Sequence, residues 1–111
     1  MKESEIQFNV LLDENNIPEQ IKWNATDKPR DAEEKCKGIS ISLWDNTGTG
    51  TMRIDLWVKE MPIEEMKRFC IESIAAWADT ILNATGDEFM AKKIDDLCQN
   101  LVNYLKNGNE F

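Results

Sequence analysis

The first half of the chain alternates apolar and polar positions, and the second half repeats its apolar positions at helical spacing. The change falls within residues 51–66. Met52, Ile54, Leu56 and Val58 alternate with Arg53, Asp55, Trp57 and Lys59, which predicts a strand with one apolar face and one charged face that carries an indole. Pro62 then fits the first turn of a helix, where its missing N–H has no partner to lose. Glu64 and Glu65 suit the positive end of the helix dipole.

Upstream, Ile6, Phe8, Val10 and Leu12 alternate with Gln7 and Asn9, giving a first strand whose one irregularity is Leu11 on the polar face. Residues 13–16, Asp-Glu-Asn-Asn, read as a turn. A second strand over 17–25 has Ile17, Ile21 and Trp23 in phase, with Pro18 marking an edge position or a late start, so the two strands form a hairpin. Residues 26–37 are mostly charged around Pro29, which predicts a surface connection with one helical turn over 31–35. A third strand over 38–45 alternates Ile39, Ile41 and Leu43 with Ser40, Ser42 and Trp44, and the following Asn46-Thr47-Gly48-Thr49-Gly50 predicts a hairpin into the fourth. Keeping both apolar sets on one face requires Leu43 opposite Met52 and Ile41 opposite Ile54. The loop is then even in length, tipped by Thr47-Gly48 or by the four residues from Asn46 to Thr49.

Two helices account for the rest. Ile63, Met66, Phe69, Cys70, Ile74, Trp77, Ala78 and Ile81 keep helical spacing from Pro62 to about Ala84, with Gly86 placed as the left-handed residue that ends the helix and Asp87 as the cap of the next. Met90, Ile94, Leu97, Cys98, Leu101 and Leu105 form the second stripe, ending before Gly108. The short link favours an antiparallel helical hairpin. The order β-β-β-β-α-α predicts an α+β fold in one domain over residues 1–111: a four-stranded antiparallel sheet with the C-terminal helical hairpin packed on one face. Leu11, Trp44 and Trp57 are then expected on the other face, among serines and the charges Arg53 and Asp55. Aromatics ringed by polar groups on a sheet suggest a contact surface for another subunit or a partner protein, because Trp buries much area for little lost entropy.

Composition narrows the chemistry. Residues 1–60 hold 8 basic and 12 acidic side chains and residues 61–111 hold 5 and 9, so each half carries four net negative charges. An evenly acidic surface repels phosphate backbones and anionic headgroups, which argues against nucleic acid and membrane-surface partners. The opening residues contain no apolar run of secretory or membrane-spanning length, so a cytoplasmic location without membrane insertion is expected. There is no histidine, hence no Ser-His or Cys-His dyad and no imidazole metal ligand. The three cysteines, Cys36, Cys70 and Cys98, are an odd and widely spaced set, with Cys70 and Cys98 on helical apolar faces as expected buried thiols. The acidic pairs Glu64/Glu65 and Asp95/Asp96 read as a helix first turn and a solvated helix face. The stretch from Asp45 to Gly50 looks superficially like a phosphate cradle or calcium loop but lacks the following lysine and the full ligand spacing. No catalytic, cofactor or metal site is expected, and no enzyme.

Several strings do resemble a known family. Ser4-Glu5-Ile6-Gln7-Phe8-Asn9-Val10, the string from Leu12 to Pro18, Ser42-Leu43-Trp44-Asp45, and above all Met52-Arg53-Ile54-Asp55-Leu56-Trp57-Val58-Lys59-Glu60-Met61-Pro62 look like the gliding motility protein GldC of Bacteroidota. Ala78-Asp79-Thr80 and Ala84-Thr85-Gly86 are similar to its helical half. The resemblance runs from about residue 3 to residue 105, departing mainly in the 26–37 connection and after Lys106. It implies a small accessory or assembly factor with no assigned reaction, tied to the surface-motility machinery and by association to type IX secretion. Its implied partners are proteins of the gliding apparatus, with a homo-oligomer left open, and it carries over no catalytic residues. Two other classes stand beside it: a small-ligand carrier with a pocket lined by Phe8, Phe69, Trp77 and Met90, and a chaperone of exported chains that resembles SecB in architecture alone.

Overall fold

A computed structural model describes residues 1–107, which divide after Met61 into two compact units. The first holds β1 (Ile6–Leu12), β2 (Pro18–Ala25), β3 (Lys35–Cys36), β4 (Gly38–Trp44) and β5 (Thr51–Trp57). The second holds α1 (Ile63–Thr85) and α2 (Glu88–Lys106). The α+β class with antiparallel sheets is as the residue pattern predicts.

β1 and β2 form the expected hairpin, with Phe8 opposite Trp23 and Val10 opposite Ile21. The turn closes because the Asp13 carboxylate accepts from the N–H groups of Asn15 and Ile17, at 2.7 and 3.0 Å. Asn16 takes the left-handed conformation (φ 63°), which its short polar side chain tolerates better than most. Pro18 opens β2 beside a register shift, where a missing N–H costs no ladder bond. β4 and β5 pair in the predicted register, Leu43 opposite Met52 and Ile41 opposite Ile54. Asp45 N–H donates to the Gly50 carbonyl (3.1 Å), so the loop is the four-residue one, with Gly48 at φ 76°.

The single four-stranded sheet does not form. The strands make a three-stranded sheet, β1-β2-β3, and a separate two-stranded sheet, β4-β5. The reason lies in the charged connection, which is tied down by Trp23. The Trp23 indole donates to the Glu33 carbonyl (2.9 Å) and its backbone N–H to the Glu34 carbonyl (2.9 Å). Lys28 reaches back to the Trp23 carbonyl (3.1 Å), its ammonium 4.8 Å from the ring centre. These contacts lay Lys35 and Cys36 against Lys22 and Ile21 as β3, so β2 has no place for β4. The backbone bends at Lys37, whose carbonyl accepts from Val58, and from Gly38 onward it pairs with β5. The helical turn expected over 31–35 is absent; a single turn closes one step earlier, from Ala32 N–H to the Pro29 carbonyl. Ile21, fully enclosed, and Ile39 are the buried apolar side chains of this unit.

In the second unit Pro62 stands one position before the first helical residue, extended at φ −63° and ψ 143°, and its carbonyl accepts from Met66. Gly86 ends α1 at φ 74° with its N–H on the Leu82 carbonyl, and Asp87 caps α2 by accepting from Met90 N–H (2.9 Å), both as the pattern predicts. The predicted stop at Gly108 lies outside the described residues. Among the described residues of this unit Ala78, Ala91 and Cys98 are buried, small side chains that let two helices approach closely. The Cys98 thiol lies 3.8 Å from the Ile71 carbonyl. Cys70 corrects the expectation: it is exposed, because the low-exposure positions of α1 follow Ile71, Ile74, Ala75, Ala78 and Ile81 and leave Cys70 beside that row. Cys36 is partly covered, and burial pushes its thiol up.

Candidate functional site

The polar face of the β4-β5 hairpin brings together four of the five predicted contact residues. Its cross-strand pairs run Trp44–Thr51, Ser42–Arg53, Ser40–Asp55 and Gly38–Trp57, so the two indoles stand at opposite ends of the ladder with the charges between them. Alternation puts them there: even positions of β4 and odd positions of β5 share this face. Trp44 is 67% exposed and Trp57 51%. Leu11, also more than half exposed, belongs to the other sheet, opposite Gln20 on β1-β2. The expected shared face of Leu11 with the two indoles is therefore replaced by two separate sheets.

Between the indoles, three side chains close a triangle. Arg53 donates to Ser40 Oγ and to Asp55 Oδ1, and Ser40 donates to the same Asp55 oxygen, each at 2.7 Å. The Arg53 guanidinium, then the Ser40 hydroxyl, hold the Asp55 carboxyl below the usual carboxylate range, and Asp55 in turn raises Arg53. Both charges are about half exposed, so the pair orders the face more than it stabilises the fold. A flat patch of two indoles around an internally neutralised ion pair can accept a partner without burying an unpaired charge.

Trp57 also lines a shallow concavity of about 190 Å³ with Ile17, Pro18, Asp55, Leu56 and Lys59. Lys59 anchors its rim, its ammonium bonding Glu19 (3.0 Å) and Asp13 (3.2 Å) and its backbone N–H the Pro18 carbonyl (2.9 Å). The Glu19 carboxylate first, then Asp13, raise the Lys59 ammonium; backbone donation from Ile17 is the main cause of the lowered Asp13. Reading the strands alone misses this link, since Asp13 and Lys59 are 46 positions apart.

The glycine-bearing loop after β4 is spoken for internally. Asp45 accepts from the Thr49 N–H (2.9 Å), the Thr49 hydroxyl (2.8 Å) and the Thr47 hydroxyl (3.0 Å), which pulls its carboxyl down to about 2. Both carboxylate oxygens thus serve the turn. Among the described residues no group of three or more Cys, Asp and Glu is placed to hold a metal ion, and no helix is long and apolar enough to cross a membrane.

In comparison with known proteins, a family model described as gliding motility-associated protein GldC-like matches residues 18–107. No curated protein and no solved structure matches the chain. The matched span contains Trp44, Arg53, Asp55 and Trp57, and begins after Leu11 and the string from Ser4 to Val10.

Proposed function

Because the chain belongs to the GldC-like family of gliding motility-associated proteins, we propose that it is a non-enzymatic accessory or assembly factor of the bacterial gliding machinery, acting through protein–protein contacts. The contact surface is the polar face of β4-β5, anchored by Trp44 and Trp57 with Arg53, Asp55 and Ser40 between them. The observation that carries the reading is the pair of half-to-two-thirds exposed indoles flanking a self-satisfied ion pair. Indoles at protein surfaces give large contact area with few rotors to freeze, and they dominate binding energy where they seat in a partner's pocket. The concavity beside Trp57 offers the reciprocal fit, an apolar floor of Ile17, Pro18 and Leu56 with Lys59 and Asp55 on its rim. The partner is a protein of the gliding apparatus, met in the cytoplasm, and the link to type IX secretion follows from that association.

Co-purification from a gliding cell tests this. Trp44→Ser together with Trp57→Ser should keep the circular dichroism of the parent and lose the proteins that the parent retains. Retention of the same set by a folded double variant would overturn the reading.

A further inference from the structure

β1 ends its sheet: among the described residues it pairs with β2 and with no other strand. Its backbone bonds fix which groups face the empty side. The Glu5 carbonyl accepts from Thr26 (3.0 Å) and Asp13 N–H donates to the Ile17 carbonyl (2.8 Å), so odd-numbered residues at both ends turn toward β2. Alternation leaves the N–H and C=O groups of Ile6, Phe8, Val10 and Leu12 directed outward. This edge lacks the usual devices against strand addition. Ile6-Gln7-Phe8-Asn9-Val10-Leu11-Leu12 contains no charge and no proline, and its register shift comes only at the last step, between Leu11 and Leu12. β5 carries Arg53 and Asp55, and β4, also uncharged, has that ion pair beside it through Ser40. On a chain of net charge −8, a seven-residue edge without a charge lets two copies meet along its length without opposing like charges.

We infer that β1 pairs with β1 of a second copy, antiparallel about a two-fold axis through Asn9, joining two three-stranded sheets into one. The strand is self-complementary in that register. Phe8 faces Val10 of the other copy and Ile6 faces its Leu12, so the outward backbone groups of even-numbered residues meet each other and the apolar face continues across the axis. On the opposite face Gln7 meets Leu11 and Asn9 meets its own counterpart, with no charge opposed to a like charge inside the strand; Glu5 and Asp13 of the other copy meet one step beyond it, where Asp13 is already paired with Lys59. Ile6 and Leu12 are exposed in the single chain, and each gains an apolar neighbour in the pair. This inference rests neither on the family nor on the Trp44/Trp57 surface.

Position 9 supplies the test, by sedimentation equilibrium of the full chain. Within one chain Asn9 stands opposite Lys22, so Asn9→Asp should fold at least as well as the parent. Across the axis it opposes two carboxylates, and the dimer dissociation constant should rise about tenfold or more, less so at high salt. Asn9→Cys puts two thiols in a non-hydrogen-bonded pair, where Cα atoms are roughly 4.5 Å apart and a disulfide fits. Because Cys70 is exposed, the comparison is made in a Cys70→Ser background: mild oxidation should cross-link the Asn9→Cys variant and leave the chain that keeps Asn9, with Cys36 and Cys98 only, uncross-linked. A parent that stays monomeric, a folded Asn9→Asp that dimerises as the parent does, or an Asn9→Cys that fails to cross-link would each overturn the inference.

Discussion

Replacing Ile21 by alanine should destabilise this protein far more than replacing Ile54, although both are central, inward-facing isoleucines of paired strands. Ile21 is fully enclosed, whereas Ile54 keeps 40% exposure. Truncation to alanine removes every carbon beyond Cβ, and at ~0.8 kcal/mol for each buried methylene-sized group the transfer loss at Ile21 is about 2.4 kcal/mol. A partly unfilled cavity adds to it, bringing the expected cost to about 3–4 kcal/mol. At Ile54 the same loss is scaled by the buried fraction and no closed cavity remains, which leaves about 1–1.5 kcal/mol. Urea unfolding followed by tryptophan fluorescence reads the difference as a shift in midpoint at constant slope. A loss at Ile54 equal to that at Ile21 would refute the reasoning, because it would require the apolar face of β4-β5 to be as sealed as the space around Ile21.

Gly86→Ala should lower the thermal midpoint through a cost of about 1 kcal/mol, because the residue sits at φ 74° while a Cβ there would meet no atom within 4 Å, so the penalty is conformational alone. Asp87→Ala should cost about 1 kcal/mol by releasing the Met90 N–H, and Asp87→Asn should restore most of it, both read by thermal melting. Asp45 has a lowered folded pKa, so its stabilisation is present above the unfolded value near 3.8 and is lost as pH falls through about 2. Stability between those limits should fall less steeply in Asp45→Asn than in the parent, as measured by urea midpoints across the acid range; parallel profiles would remove the carboxylate from the account.

The sequence alone determined the elements whose causes are local. Period-two alternation fixed β1, β2, β4 and β5 and the register Leu43–Met52, because shifting a strand by one residue would turn every apolar side chain of the hairpin outward. Gly86 and Asp87 marked the break between the helices through backbone conformation and a single capping bond, effects that operate within a few residues. The shared face of Trp44, Arg53, Asp55 and Trp57 on β4-β5 was legible for the same reason, parity along the strands.

Tertiary structure decided whatever depended on partners distant in the chain. Whether β2 met β4 or the charged connection was settled by Trp23, whose indole takes the Glu33 carbonyl and lays β3 in place, and a two-residue strand is too short to carry a periodic signal. The separation of Leu11 from the indoles followed from that choice. Exposure was equally beyond the pattern, since helical spacing gives Cys70 and Cys98 the same apolar address and only the packing of α1 with α2 buries one of them. Lys59 reached Asp13 and Glu19 by the same logic, through a bend in space that no stretch of sequence encodes by itself.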